Sequence, residues 1–450
     1  MNKLLFLFIM LYPLVIFGQN KNIPKPTIIE WHYIGIPDFS ADSVVFPSIA
    51  ISPADIPYVA FRTRYYPFTV YVMKYNGNTW ENVGTAGFIQ GWVYRSSLAI
   101  DPSGTPYLAY IERSSLKISL VKFNGSSWVQ VGAAGFSPFF VNSIALAINP
   151  VGIPYVTFVD GITSSTSVMK FDGNNWIYVG NSNFTPASPV SNIAFSLTSE
   201  IFAVFLNGAA SSNLSVMNFN GSNWVAFGLQ GPELSSMTYD ISMAIGPDNL
   251  PYIPYKNDSS GKLSVVKNTG NNWQLVGANI FTNFINYAYI QFNQSGQPFI
   301  ACDDSSYANV YSFDGTNWNH VGNNNFSNVP VNYMAFTLNS SGRPYIAFIS
   351  QISRKLSVMK YDYPESIEQV HKNQLLVYPN PAIDKITIQL PKNENSNKTV
   401  EIYNATGNRL YETQTPENTI HLNVKNYPSG MYLIKIITGQ SNSVARFCKL

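Results

Sequence analysis

One aromatic residue recurs at a nearly constant interval through most of this chain. Trp31, Trp80, Trp128, Trp176, Trp224, Trp273 and Trp318 are spaced 49, 48, 48, 48, 49 and 45 residues apart and account for seven of the eight tryptophans. Each opens a Trp-x-x-hydrophobic-Gly segment: WHYIG, WENVG, WVQVG, WIYVG, WVAFG, WQLVG, WNHVG. A repeat of roughly 40–50 residues made of short strands forms a propeller or a solenoid, because one unit cannot bury its apolar face alone.

One repeat reads as four strands. SLAI (97–100) is followed by the turn DPSGT (101–105), then PYLAY (106–110), KISLVKF (117–123), an Asn124-Gly125 hairpin turn and WVQV (128–131). Pro and Gly supply the restricted and permissive backbone positions of the first turn, and Asn-Gly is a strong hairpin signal. There are seven three-strand groups and seven Trp strands, but they are out of phase. The chain opens with the Trp31 strand, and its last three-strand group, ending near Tyr361, has no Trp strand after it. If the Trp31 strand completes that last group, seven four-stranded blades close into a ring with no exposed sheet edge. The expected fold is therefore all-β: a seven-bladed β-propeller over residues 30–361. A solenoid is the alternative, and it would need distinct polar caps at its ends. Ala50, Ala99, Ala147, Ala194 and Ala244 share one place in the first strand, as the crowded axis of a ring requires. The tryptophans are expected to fill the space between neighbouring blades.

Charged residues make up 12% of the chain and net charge is +2, which argues against a nucleic-acid binder with its dense basic face. The two cysteines, Cys302 and Cys448, give no disulfide framework and are read as unpaired. Lys3, the apolar run Leu4 to Phe17 and Gly18 read as a secretory signal peptide over residues 1–18, too short for a membrane span. No other stretch reaches 18 apolar residues, so no membrane span is expected in the mature chain.

After Tyr361 the repeat stops. A polar linker (362–375) leads to YPNPAIDKITIQL, VEIYNATGNRL and YPSGMYLIKI, short alternating strands with Asn-Pro and Gly turns that indicate a small Ig-like β-sandwich over 376–450. These segments and the basic-apolar end Lys449-Leu450 resemble the C-terminal sorting domain of the type IX secretion system. The resemblance implies that the type IX secretion machinery is a partner. It also implies export across a Gram-negative outer membrane, with the cargo released or attached to the cell surface. In the repeat region, the Asn/Asp-Gly-x-x-Trp hairpin is loosely similar to the Asp-box of sialidase-like propellers. In FDGNNW (171–176) only the Gly-x-x-Trp half agrees, and an Asp-box is a folding feature.

For chemistry, the two ends of a propeller differ. The turns joining first to second and third to fourth strands are stereotyped here (DPSGTP, NPVGIP, NQSGQP; NG and DG turns), whereas those at the other end vary from blade to blade. Variable loops on a rigid scaffold are where recognition is built. Phe39, Phe88, Phe136, Phe184, Phe281 and Phe326 each follow a Trp by eight residues and read as packing. Outside the pattern stand Trp92, Tyr94 and Arg95 in one blade connection, Phe139 and Phe140 in the next, Arg62 and Arg64 in one second-to-third turn, and Glu112 and Arg113 in the following one. The candidate binding residues are Arg62, Arg64, Trp92, Tyr94, Arg95, Glu112, Arg113 and Phe140, because aromatic faces stack on sugars and Arg forks pair with carboxylates. Thr63, Glu112, Asp160, Asn207, Asn257, Asp304 and Ser350 recur after each second strand, either as a polar ring at the channel mouth or as turn caps. No metal-ligand spacing, nucleophile elbow or phosphate loop is present, so no metal, cofactor or catalytic residue is assigned. The reading is an exported or surface-attached module that binds a glycan, surface polymer or surface protein. A sialidase-like or other glycan-cleaving enzyme and a structural surface protein are the alternatives. Converging carboxylates in the channel would mark the enzyme, an aromatic patch without acids the lectin, and a featureless variable face the structural role.

Overall fold

The computed structural model describes residues 30–89, 93–208, 213–229, 231–232, 241–256, 262–278, 285–362, 376–389, 397–404, 408–437 and 442–450. The signal-peptide and linker readings fall on residues outside these, apart from Asp362. By chain contacts the protein divides into two compact units, 1–363 and 364–450.

The first unit is a seven-bladed propeller. Blades 1 to 6 span residues 44–82, 93–130, 141–178, 191–226, 244–275 and 288–320, each an antiparallel four-stranded meander. Blade 7 takes three strands from residues 331–361, and its fourth is Trp31–Tyr33, with Trp31 opposite Tyr361 and Tyr33 opposite Met359. First strands pack side by side around the ring, and that of blade 7 returns to that of blade 1, which excludes a solenoid. Polar side chains on these strands lace neighbours together. Ser48 Oγ accepts from the Leu98 N–H at 3.2 Å, and Ser97 Oγ accepts from the Leu146 N–H at 3.1 Å. The second strands are buried on both faces along most of their length, so they carry mainly apolar or small residues there, as in residues 57–61 with Val59 and Ala60 fully buried.

The tryptophan period follows from one repeated contact. Each indole N–H donates to a backbone carbonyl of the preceding blade: Trp80 to Ile34 at 2.8 Å, Trp128 to Val83 at 2.7 Å, Trp176 to Val131 at 3.0 Å, and Trp31 to Val321 at 2.6 Å across the closing seam. The Phe eight residues after one Trp stacks on the next, as Phe136 does on Trp176 at 4.0 Å and Phe326 on Trp31 at 3.8 Å. In blade 5 the rule bends. Asn268 stands where other blades place Tyr or Phe, and its amide takes the Phe227 carbonyl at 2.7 Å, so Trp273 bonds to Leu229 instead.

The second unit is a β-sandwich. A three-stranded sheet (Leu376–Tyr378, Lys385–Gln389, Thr419–Asn423) faces a four-stranded one (Arg409–Thr415, Lys398–Asn404, Gly430–Ile437, Asn442–Lys449). Alternation along these strands delivers Ile386, Ile388, Val400, Ile402, Ile434, Ile436 and Phe447 to one buried core. Both cysteines are unpaired, Cys302 buried in blade 6 and Cys448 half-buried in the sandwich. Among the described residues no helix is long and apolar enough to cross a membrane.

Candidate functional site at the channel mouth

Among the described residues, the segments that open the first strands of blades 1 to 4, 6 and 7 border the axial channel at the end of the propeller that carries the variable loops. Four residues before the shared alanine position stand Phe46, Arg95, Ser143 and Val190, with Tyr287 and Tyr333 at the same place in blades 6 and 7. All six line one cavity of about 230 Å³ on the axis. Its wall is uneven: aromatic on blades 6, 7 and 1, cationic on blade 2, small on blades 3 and 4. None of the described residues lining it is acidic.

Backbone irregularity aims these side chains. Four adjacent blades, 7, 1, 2 and 3, carry a register shift in the first strand here, between Asn332 and Met334, Val45 and Ser48, Val93 and Ser96, and Val141 and Ser143. An extra residue in one strand bends it and re-aims its side chain, and such bulges gather beside functional sites. Phe46 and Tyr333 adopt φ of 56° and 55°, a left-handed conformation that is unfavourable for bulky residues.

The aromatic and cationic groups then interlock. The Arg62 guanidinium lies 5.2 Å from the ring centres of both Phe46 and Phe68, and Arg95 lies 5.4 Å from Phe46. Tyr333 meets Phe46 edge-on at 5.0 Å. Arg62 also donates from Nη1 to the Thr63 carbonyl at 3.1 Å and from Nε to the Tyr94 carbonyl at 3.4 Å. Arg113 lies 5.9 Å from the Tyr94 ring centre. Burial pulls the Arg62 guanidinium below its ordinary value. Tyr333 and Tyr94 oppose that shift and Arg113 adds to it, and a guanidinium remains charged throughout.

The structure thus brings Arg62, Tyr94, Arg95 and Arg113 into one cluster around Phe46. It places the other candidates apart. Arg64 lines a separate cleft at the seam of blades 7 and 1. Glu112 turns into its own blade, accepting from Ser119 Oγ at 2.6 Å and Ser115 Oγ at 3.1 Å. Phe140 covers Gly161, where an added Cβ would lie 2.0 Å from its ring. Trp92 lies outside the described residues. Three of the recurring polar residues act as turn caps: Asp160 accepts from the Ile162 and Thr163 N–H groups at 2.8 and 2.9 Å, Thr63 from Thr69 at 2.9 Å, and Ser350 from Ile352 at 3.2 Å; Asn257 lies outside the described residues. Asp303, buried near the end of the second strand of blade 6, accepts from the Asn286 and Tyr287 N–H groups at 2.8 Å each and from the Asn286 amide at 2.7 Å. Burial raises its pKa despite these donors. Among the described residues no three His, Cys, Asp or Glu side chains converge as a metal site would require. Phe46, Phe68, Tyr287 and Tyr333 escape sequence reasoning. The signal for Phe46, Tyr287 and Tyr333 is a break in the repeat four residues before the alanine position; Phe68, in the second-to-third turn of blade 1, has no such signal.

Comparison with known proteins bears chiefly on the second unit. Residues 376–449 match the model of the secretion system C-terminal sorting domain. The chain is 44% identical over 69 residues to the ulvan lyase NLR42 of Nonlabens ulvanivorans, a match spanning 15% of this chain and 12% of that relative. Among solved structures, an ulvan lyase bound to -[GlcA(1-4)Rha3S]- is similar with a TM-score of 0.48 and 12% identity, covering 72% of this chain and 94% of that one. The Aleuria aurantia lectin with Fucalpha1-6GlcNAc is similar with a TM-score of 0.43 and 13% identity, covering 74% and 95%. Residues 376–449 are a type IX secretion C-terminal sorting domain, and the chain is an exported protein, released or attached at the outer cell surface.

Proposed function

We propose that the propeller is an exported binding module that recognises a glycan or surface polymer at the channel mouth. The observation that carries this reading is the cluster of Arg62 and Arg95 around Phe46, with Tyr94, Arg113 and Tyr333 beside it; of these Phe46, Arg95 and Tyr333 line the channel cavity, whose described lining holds no acid. Aromatic faces stack on the apolar faces of sugar rings, and guanidinium forks bond to their oxygens. Glycoside cleavage by paired carboxylates needs two acids flanking the bond. At this end of the propeller Glu112, Asp160 and Asp303 are instead bound to their own turns and strands.

The test is a glycan array probed with the purified mature chain and with Arg62→Ala, Phe46→Asn and Trp92→Ala variants. Binding that is lost in the first two variants supports the site. No binding to any glycan ends the reading, and shortened products from a bound glycan replace binding by cleavage.

A further inference from the structure

A second cleft opens at the same end of the propeller, at the seam where blade 7 meets blade 1. It encloses about 230 Å³, and Arg64 and Arg354 both line it, with Asn332, Tyr333, Ser350 and Gln351. Arg64 follows the second strand of blade 1, its N–H bonded to the Ser43 carbonyl at 2.8 Å. Arg354 occupies the matching turn of blade 7 with φ of 59°. Its N–H donates to the Ser350 carbonyl at 2.8 Å, and its own carbonyl accepts from the Val44 N–H at 2.9 Å across the seam. Leu116 and Ser164 fill the same left-handed place in blades 2 and 3, with carbonyls bonded to Val141 and Ser188 of the following blades. The place therefore belongs to the scaffold, and the arginine is what blade 7 adds. Tyr65 steadies the pair. Its hydroxyl accepts from Arg354 Nη1 at 3.1 Å, and its ring centre lies 6.0 Å from the Arg64 guanidinium.

The propeller's arginines are concentrated at this end. Five of the six propeller arginines, Arg62, Arg64, Arg95, Arg113 and Arg354, stand here on blades 7, 1 and 2. Among the described residues no carboxylate pairs with Arg62, Arg64, Arg113 or Arg354, whereas the sixth, Arg343, holds Asp362 at 2.9 Å. Two guanidinium groups converging on one cleft repel each other until an anion enters, and planar carboxylate or sulfate groups suit their fork geometry. Tyr333 lines both the cleft and the channel cavity, so one ligand can span the two.

The geometry points to the seam cleft as an anion subsite: Arg64 and Arg354 take a carboxylate or sulfate group of an acidic glycan whose sugar rings lie on the aromatic channel mouth. This inference rests on the glycan reading above and adds the ligand's charge.

The mature full-length chain is titrated with polygalacturonate, which carries carboxylates alone, with dextran sulfate, which carries sulfates alone, and with neutral dextran. The same is done for an Arg64→Gln/Arg354→Gln variant, an Arg64→Lys/Arg354→Lys variant and an Arg343→Gln control, with thermal unfolding checked for each. The expected result is binding to one or both acidic polymers, at least tenfold weaker in the Gln variant, partly kept in the Lys variant and unchanged in the control. The responding polymer identifies the anion. Binding to an acidic polymer that the Gln variant keeps in full overturns the inference. Preference for neutral dextran, or array binding that Arg62→Ala loses and the Arg64→Gln/Arg354→Gln variant keeps in full, overturns it while leaving the glycan reading standing. No binding to any polymer or glycan removes both.

Discussion

The indole N–H of Trp176 donates to the Val131 carbonyl at 3.0 Å, and the ring lies stacked on Phe136 at 4.0 Å. One side chain thus ties blade 3 to blade 2 through a hydrogen bond and an apolar face. Deleting it in Trp176→Ala is expected to cost about 3–5 kcal/mol, the range for large aromatic truncations in packed interiors. Trp176→Phe keeps much of the face and loses the donor, leaving the Val131 carbonyl unsatisfied, for about 1–3 kcal/mol. Urea unfolding of both variants checks the order, and equal losses would show that the stacked face contributes nothing beyond the hydrogen bond.

Gly132 closes the WVQVG segment directly against that indole. Its φ is +70°, and a Cβ there would lie 2.9 Å from Trp176 Cδ1 and Nε1. Gly125, in the hairpin turn of the same blade, has φ of +99° with nothing within 4 Å. Gly125→Ala therefore meets only the backbone penalty, about 1–2 kcal/mol, and Gly132→Ala adds an overpacking cost of about 1–3 kcal/mol. The paired denaturation midpoints separate the two causes. Similar losses would mean that the indole yields without cost.

Much of this architecture is legible from the chain because every blade repeats the same contact. The Trp period gives the blade count, and the out-of-phase Trp31 strand gives the closure. The Phe eight residues after six of the seven repeat Trp residues is read as packing before its partner, the next Trp, can be known. The residues of the candidate site are less legible. Phe46 and Tyr333 reach the channel through bulges, and an extra residue in one strand breaks the simple alternation on which strand reading depends. Glu112 looks like a site acid beside Arg113. Only the turn geometry shows that Ser115 and Ser119 occupy its carboxylate. Arg354 lies 290 positions from Arg64 in sequence and shares a cleft with it because the ring closes there.

Asp303 makes stability depend on pH. Burial raises its pKa above the ordinary 3.8, so its ionised form is disfavoured more in the folded than in the unfolded chain. A group raised in this way contributes stability that is fully present below the unfolded pKa and is lost as pH rises through the folded one. Asp303→Asn is neutral at every pH and keeps its contacts once the Asn286 amide turns over. Stability measured relative to this variant should therefore fall as pH rises from about 3.8 and level off above the raised folded value. Urea midpoints of both proteins between about pH 3.5 and 7 give the difference directly. A difference constant across that range would show that Asp303 titrates as it does in the unfolded chain.

Phe46 sets the propeller's backbone strain against the proposed recognition surface. At φ of 56° a phenylalanine is held where asparagine is far better tolerated, and its ring is only half-buried between Arg62, Arg95 and Tyr333. Phe46→Asn relieves a backbone cost of about 1–3 kcal/mol and loses a packing term of similar size. Stability is therefore expected to stay within about 1 kcal/mol of the parent protein. Glycan binding is expected to fall at least tenfold, because the ring is both the stacking surface and the platform on which two guanidinium groups rest. Urea unfolding and binding titration on the same preparation decide the matter. A variant that unfolds early would make Phe46 a structural residue, and one that binds normally would move the recognition surface away from the channel mouth. Unchanged stability with lost binding is the outcome a strained functional residue produces.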